Sequence, residues 1–84
     1  MRMIKGQKQR RNEAAIAILG QNIRRYRQSK SMTMEELANL LEVDYSQISR
    51  MERGKVNATV SIIFDIASVL EIKPEQLLKD TNYQ

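Results

Sequence analysis

The chain contains no cysteine and no histidine. Without cysteine there is no disulfide framework, no thiolate nucleophile and no Cys-based zinc site, a composition that suits a reducing cytoplasm. Without histidine, a Ser-His-Asp triad and the usual imidazole base are excluded. Long apolar runs are missing as well. The longest is Ala14 to Leu19, far short of the roughly 20 residues that span a bilayer. Met3 and Ile4, which follow Arg2, are too few to make the apolar core of a signal peptide. No nucleophile with its base, no metal set and no phosphate loop can be assembled. The expectation is a cytoplasmic protein that is not an enzyme, with no cofactor, no metal and no membrane contact.

The 84 residues are 42% hydrophobic and 29% charged. That balance belongs to a single soluble globular domain, and a chain this short has little stability to spare. The net charge is +4, but it is unevenly placed. Residues 1–30 carry nine basic side chains (Arg2, Lys5, Lys8, Arg10, Arg11, Arg24, Arg25, Arg27, Lys30) against one acid, Glu13. Residues 31–84 carry five basic and nine acidic side chains and are net negative. A polyanion-binding chain shows this asymmetry, and so does a chain with an idle, solvated tail.

Residues 1–12 are polar and basic, with no apolar periodicity, and read as a flexible basic arm. A domain is expected over 13–79, followed by a short tail at 80–84. From Glu13 the spacing of Ile16, Leu19, Ile23 and Tyr26 predicts an amphipathic helix ending near Ser29. Gly20 interrupts it, so its first part is expected to fray. Thr33-Met34-Glu35-Glu36 fits a capping box that opens a second helix burying Leu37, Ala38 and Leu41. Asp44, with Gln47 as its reciprocal partner, is expected to cap a third helix from Tyr45 to Glu52, closed by Gly54. Thr59 can cap a fourth helix that turns Val60, Ile63, Ile66, Ala67 and Leu70 inward. Pro74 opens a fifth, anchored by Leu77 and Leu78. No strand-length alternation is present, so the fold class is all-α.

Two short helices joined by a three-residue turn form a helix-turn-helix, whose second helix can enter the major groove of DNA. Ala38 lets the two axes approach, and Leu37, Leu41, Val43, Ile48 and Met51 face one another across the crossing. The arrangement, together with Ile48-Ser49-Arg50-Met51-Glu52-Arg53-Gly54-Lys55, Asn57, Thr59, Ile66-Ala67 and Leu70, resembles the Cro and phage-repressor type of helix-turn-helix over residues 19–78. This is the xenobiotic-response-element family.

The resemblance implies a compact five-helix bundle that binds operator DNA, usually as a homodimer, in a prokaryote-like or phage-like setting and associated with the nucleoid. It places Tyr45, Ser46, Ser49 and Arg50 on the base-reading side of the third helix. Spacing agrees, since Ile48 and Met51 point the other way. Arg50 can donate two parallel hydrogen bonds to guanine. Thr33 and Met34 at an unpaired helix start, with Arg53, Lys55 and Asn57 after the recognition helix, are nominated for phosphates. The family commonly pairs an arginine of the first helix with the glutamate before the glycine turn, here Arg27 and Glu52. Glu42 and Glu71 stand where the family has glycine, and Ala58 where it has proline. Glu35, Glu36, Glu42 and Asp44 are expected to serve as caps that point away from phosphate.

The bland alternatives are a solvated helix surface for the polar residues, dipole partners for Arg53 and Lys55, and scattered surface apolars for Ile62, Phe64 and Val69. Those three would otherwise form a dimer surface. The expected function is sequence-specific binding of double-stranded DNA by a transcriptional regulator, most simply a repressor. An antitoxin-type autorepressor that also binds a toxin, and an adaptor that uses the fold to bind a protein partner, are the alternatives.

Overall fold

The computed structural model describes residues 10–80. Most of the expected arm, at 1–9, and of the expected tail, at 81–84, lies outside the described residues. Five helices follow one another: α1 (Glu13–Ser29), α2 (Met34–Leu41), α3 (Tyr45–Glu52), α4 (Val60–Leu70) and α5 (Pro74–Leu78). The described residues contain no strand, and the fold is all-α. None of their helices is long and apolar enough to cross a membrane.

Side-chain caps set most of the helix starts. Asn12, counted with the arm by composition, accepts the Ala15 amide at 2.9 Å and begins α1. Thr33 and Glu36 exchange both bonds of a capping box, at 3.0 and 2.8 Å. Thr59 accepts the Ile62 amide at 3.2 Å. At α5, Gln76 accepts the Lys73 amide at 3.0 Å. Asp44 departs from expectation. It holds the cap position of α3 in an extended conformation, but its carboxylate makes no capping hydrogen bond. The Gln47 amide bonds to the Asp44 carbonyl instead, at 3.0 Å.

The ends of α1 to α4 share one design. A residue with positive φ follows the helix, its amide bonds three residues back, and the next amide bonds five residues back. Ser31, Glu42, Gly54 and Glu71 fill the left-handed position, with φ of 54°, 60°, 73° and 60°. Met32, Val43, Lys55 and Ile72 supply the second amide, to the carbonyls of Arg27, Ala38, Arg50 and Ala67. Met32, Val43 and Ile72 also pack against the core, which fixes the exit direction of the chain.

The core joins Leu19 and Ile23 of α1, Leu37 and Ala38 of α2, Ile48 and Met51 of α3, four residues of α4 and Leu77 of α5. Leu41 is half-buried. Val60 and Leu78 were expected inside, but they are 69% and 56% exposed. Each sits at the terminal residue of its helix, where the chain is already turning away from the core face.

Gly20 is the main correction. The helix is continuous through it, and it is buried. A Cβ at this position would lie 2.4 Å from the Met51 carbonyl oxygen and 2.8 Å from that of Glu52. The glycine is what allows α1 to cross the end of α3 in direct backbone contact. Asn22, a polar residue with no signal of burial in the sequence, is buried as well. Its Nδ2 donates to the carbonyls of Leu77 and Lys79, both at 2.8 Å, and its Oδ1 accepts from Arg25 at 3.0 Å. It ties the end of α5 to α1 and satisfies carbonyls that a five-residue helix leaves open.

Two stability predictions follow from these backbone constraints. Gly20→Ala should lower the unfolding free energy in urea by about 1–3 kcal/mol, although alanine is the better helix former by about 1 kcal/mol. Glu42→Gly or Glu71→Gly should relieve a left-handed residue and stabilise by about 1 kcal/mol each. In a domain of this size that is a rise in Tm of about 4–8 °C in a thermal melt.

Candidate nucleic-acid interface

α3 is only eight residues long, below the length at which an isolated helix persists in water. Its position therefore comes from its packed side, where Ile48, Met51 and Glu52 are buried. The opposite stripe, at helical spacing, carries Ser46, Ser49, Arg50 and Arg53. Ser46, Arg50 and Arg53 are exposed and Ser49 is half-exposed. Two hydroxyls and two guanidinium groups thus share one face with no apolar residue among them. Arg53 also donates from Nε to the Ser49 carbonyl at 3.3 Å, which lays its stem along the helix.

Tyr45 stands to one side of that stripe. It is 48% exposed and lines a cavity of about 480 Å3 with Arg27, Gln28, Ser31, Met32, Thr33, Met34 and Glu35. The cavity lies where the end of α1, the start of α2 and the start of α3 meet. The capping box uses the amides of Thr33 and Glu36, so the amides of Met34 and Glu35 remain without a partner among the described residues. Thr33 still has its hydroxyl proton to donate. Glu36 acts as a cap, as expected of it, and Glu42 ends α2 in the left-handed conformation. Lys55 is exposed beyond α3, and Asn57 donates from Nδ2 to the Arg10 carbonyl at 3.1 Å.

An ion pair anchors α3 from behind. Arg27 grips Glu52 with two parallel hydrogen bonds, Nε to Oε2 at 2.6 Å and Nη2 to Oε1 at 2.9 Å. Its remaining nitrogen, Nη1, donates to the Met32 carbonyl at 2.7 Å. The Glu52 side chain is 1% exposed and that of Arg27 9%. The hydrogen bond to Glu52 raises the Arg27 pKa above its ordinary value against the opposing effect of burial, so the guanidinium stays charged. Arg24 approaches the same carboxylate at 3.6 Å from the solvent side. Glu52 and the Met32 carbonyl thus take three of the five guanidinium donors of Arg27 and hold it against the core side of α3.

Of the three residues nominated for a dimer surface, Phe64 is 57% exposed, while Ile62 and Val69 are half-buried and packed on the core. Val69 lines a cavity of about 240 Å3 between α2 and α4 with Leu40, Leu41, Asp65 and Ser68. Leu40, 60% exposed, extends the same apolar rim.

A short helix with a polar, cationic outer stripe, packed against a capped partner helix across a short turn, is the arrangement of a helix-turn-helix. The helix-turn-helix family matches residues 23–77. The chain belongs to that family. Among its relatives, control protein C.BamHI of Bacillus amyloliquefaciens is 37% identical over 65 residues, which are 76% of this chain and 80% of that protein. The restriction-modification controller protein C.AhdI from Aeromonas hydrophila superposes with a TM-score of 0.73 at 34% identity, covering 76% of this chain and 97% of that one. The hypothetical transcription factor NHTF from Neisseria superposes with a TM-score of 0.78 at 30% identity, covering 90% and 88%.

For this helix-turn-helix chain, removing one partner of the buried pair strands the other. Arg27→Ala should cost about 3–5 kcal/mol in chemical denaturation. Any loss of binding in that variant should track its unfolded fraction.

Proposed function

We propose that this chain regulates transcription by sequence-specific binding of double-stranded DNA, with α3 lying in the major groove. The observation that carries this reading is the outer stripe of α3, where Ser46, Ser49, Arg50 and Arg53 line up opposite a side locked by Ile48, Met51 and the Arg27–Glu52 pair. The relatives support it, since their names describe a control protein, a controller protein and a transcription factor.

Arg50 reads a guanine through O6 and N7, the commonest specific contact in the major groove. Ser46 and Ser49 serve a base or a phosphate. Tyr45, at the edge of the stripe, meets a thymine methyl or the backbone. The free amides and hydroxyl at the start of α2, with Arg53 and Lys55, hold phosphates on the two sides of the groove. The functional unit is the domain over 13–79, with the basic arm before it and the short tail after it.

Two copies joined through Phe64, Ile62 and Val69 would present two recognition helices about 34 Å apart on a pseudo-palindromic operator. Occupancy of such a site in a promoter represses by occlusion. This role belongs in the cytoplasm, at the nucleoid.

Selection of binding sites from random duplex DNA should return an inverted repeat with half-sites one helical turn apart. Arg50→Ala should relax the preference at one base of each half-site, a loss of about 1–3 kcal/mol of discrimination. A selection with no consensus would overturn the reading and favour a protein-binding adaptor. An equal loss on every sequence would make Arg50 a phosphate contact.

A further inference from the structure

Arg10, Arg50, Arg53 and Lys55 are exposed and take part in none of the ion pairs among the described residues. Arg50, Arg53 and Lys55 follow one another on α3 and the connection after it. Arg10 comes from the other end of the sequence and is brought there by its neighbours. Asn57 Nδ2 donates to the Arg10 carbonyl at 3.1 Å. Arg11 Nη2 reaches the Lys55 carbonyl at 3.5 Å, while its Nε holds Glu13 Oε2 at 2.8 Å. Residues 10–12 are therefore strapped across residues 55–57. Because Asn57 grips backbone, it places residue 10 and leaves the Arg10 guanidinium uncommitted.

The position of Lys55 selects the ligand. α3 ends at Glu52, Gly54 turns the chain with a φ of 73°, and the Lys55 amide returns to the Arg50 carbonyl at 2.9 Å, so Lys55 stands at the end of α3, beyond the outer stripe. A cation at the end of a helix lying in a groove about 12 Å wide meets the phosphate wall. We infer that Asn57 is a positioning residue, which through the Arg10 carbonyl delivers the Arg10 guanidinium to a DNA phosphate next to the one met by Lys55. This rests on the reading that α3 enters the groove. It also reassigns Asn57, which the sequence suggests as a phosphate ligand in its own right.

The test is a double-mutant cycle in the full chain, Asn57→Ala against Arg10→Gln, with affinity for the selected operator measured across a salt series. One lost phosphate contact lowers the slope of log affinity against log salt by about 0.9, equivalent to about fivefold weaker binding at 0.15 M salt. Each single variant should show that loss, equally on every sequence, and the double variant should be no worse than either. Thermal midpoints should stay close to that of the parent, because both side chains are exposed. A double variant about 25-fold weaker would mean two independent contacts and overturn the positioning role. An unchanged slope for Arg10→Gln would overturn the Arg10 contact while leaving the function of α3 intact. A parent chain without sequence preference would overturn the reading of α3 itself.

Discussion

Everything on the outer surface of α3 depends on how its last turn meets α1. The backbone of α1 passes so close at Gly20 that the carbonyls of Met51 and Glu52 occupy the space of a side chain. Two turns further along α1, Arg27 takes the Glu52 carboxylate in a bidentate grip. The end of a helix carries partial negative charge, and here it faces a backbone with no side chain in the way and then a guanidinium. Contact at Gly20 sets the distance between the helices, and the pair at Arg27 sets the rotation of α3 about its own axis. A rotation by one residue would bury Ser49 or expose Met51. The polar stripe is thus fixed from behind, by groups on the buried side of the helix.

Such rigidity is needed because α2 and α3 are each eight residues long and neither would persist alone. Their ends are over-determined instead. The capping box at Thr33 begins α2, and the left-handed Glu42 ends it and sends Val43 back to the core. The same ending recurs at Ser31, Gly54 and Glu71, although only one of the four is glycine. Non-glycine residues at these positions carry a modest conformational cost. Core contacts made by Met32, Val43 and Ile72 offset it, since each follows the left-handed residue directly.

The sequence made the helices legible because their boundaries lie in local chemistry. Thr33 with Glu36, Thr59, Gly54 and Pro74 act within a turn of themselves, and a reader of residues can find them. It was less informative where a residue answers to a distant neighbour. Gly20 reads as a weak point in a helix until α3 is seen against it. Asn22 reads as one more polar residue, and only the open carbonyls of a short α5 reveal why it is buried. Asp44 reads as a cap, yet the turn places its carboxylate away from the amides it was expected to satisfy. For the candidate site, spacing placed Ser46, Ser49 and Arg50 on one stripe. It could not show that Tyr45 belongs to the cavity beside α2, nor that Asn57 is engaged with Arg10.

Charge shows the same division most plainly. The surplus of basic residues in the first part of the chain invites an electrostatic account of binding, but most of those within the fold are already committed. Arg27 and Arg24 attend Glu52, Lys30 pairs with Glu71 and Arg11 with Glu13. Arg25 bonds to Asn22 and lies over the Tyr26 ring, 4.6 Å from its centroid. A neighbouring carboxylate cancels the field of Arg11 and of Lys30 beyond a few ångströms, and Glu52 cancels one of the two guanidinium charges beside it, while Arg25 keeps its charge. Arg10, Arg50, Arg53 and Lys55, like Lys73 and Lys79 on either side of α5, take part in none of the ion pairs among the described residues, although Lys55 feels the charge of Glu13. Arg50, Arg53 and Lys55 come from the net-acidic part of the sequence, and Arg10 joins them through a backbone hydrogen bond. Net charge along the chain therefore does not locate the unpaired cations: subtracting the internal pairs leaves Arg10, Arg50, Arg53 and Lys55 gathered around the end of α3, and Lys73 and Lys79 flanking α5.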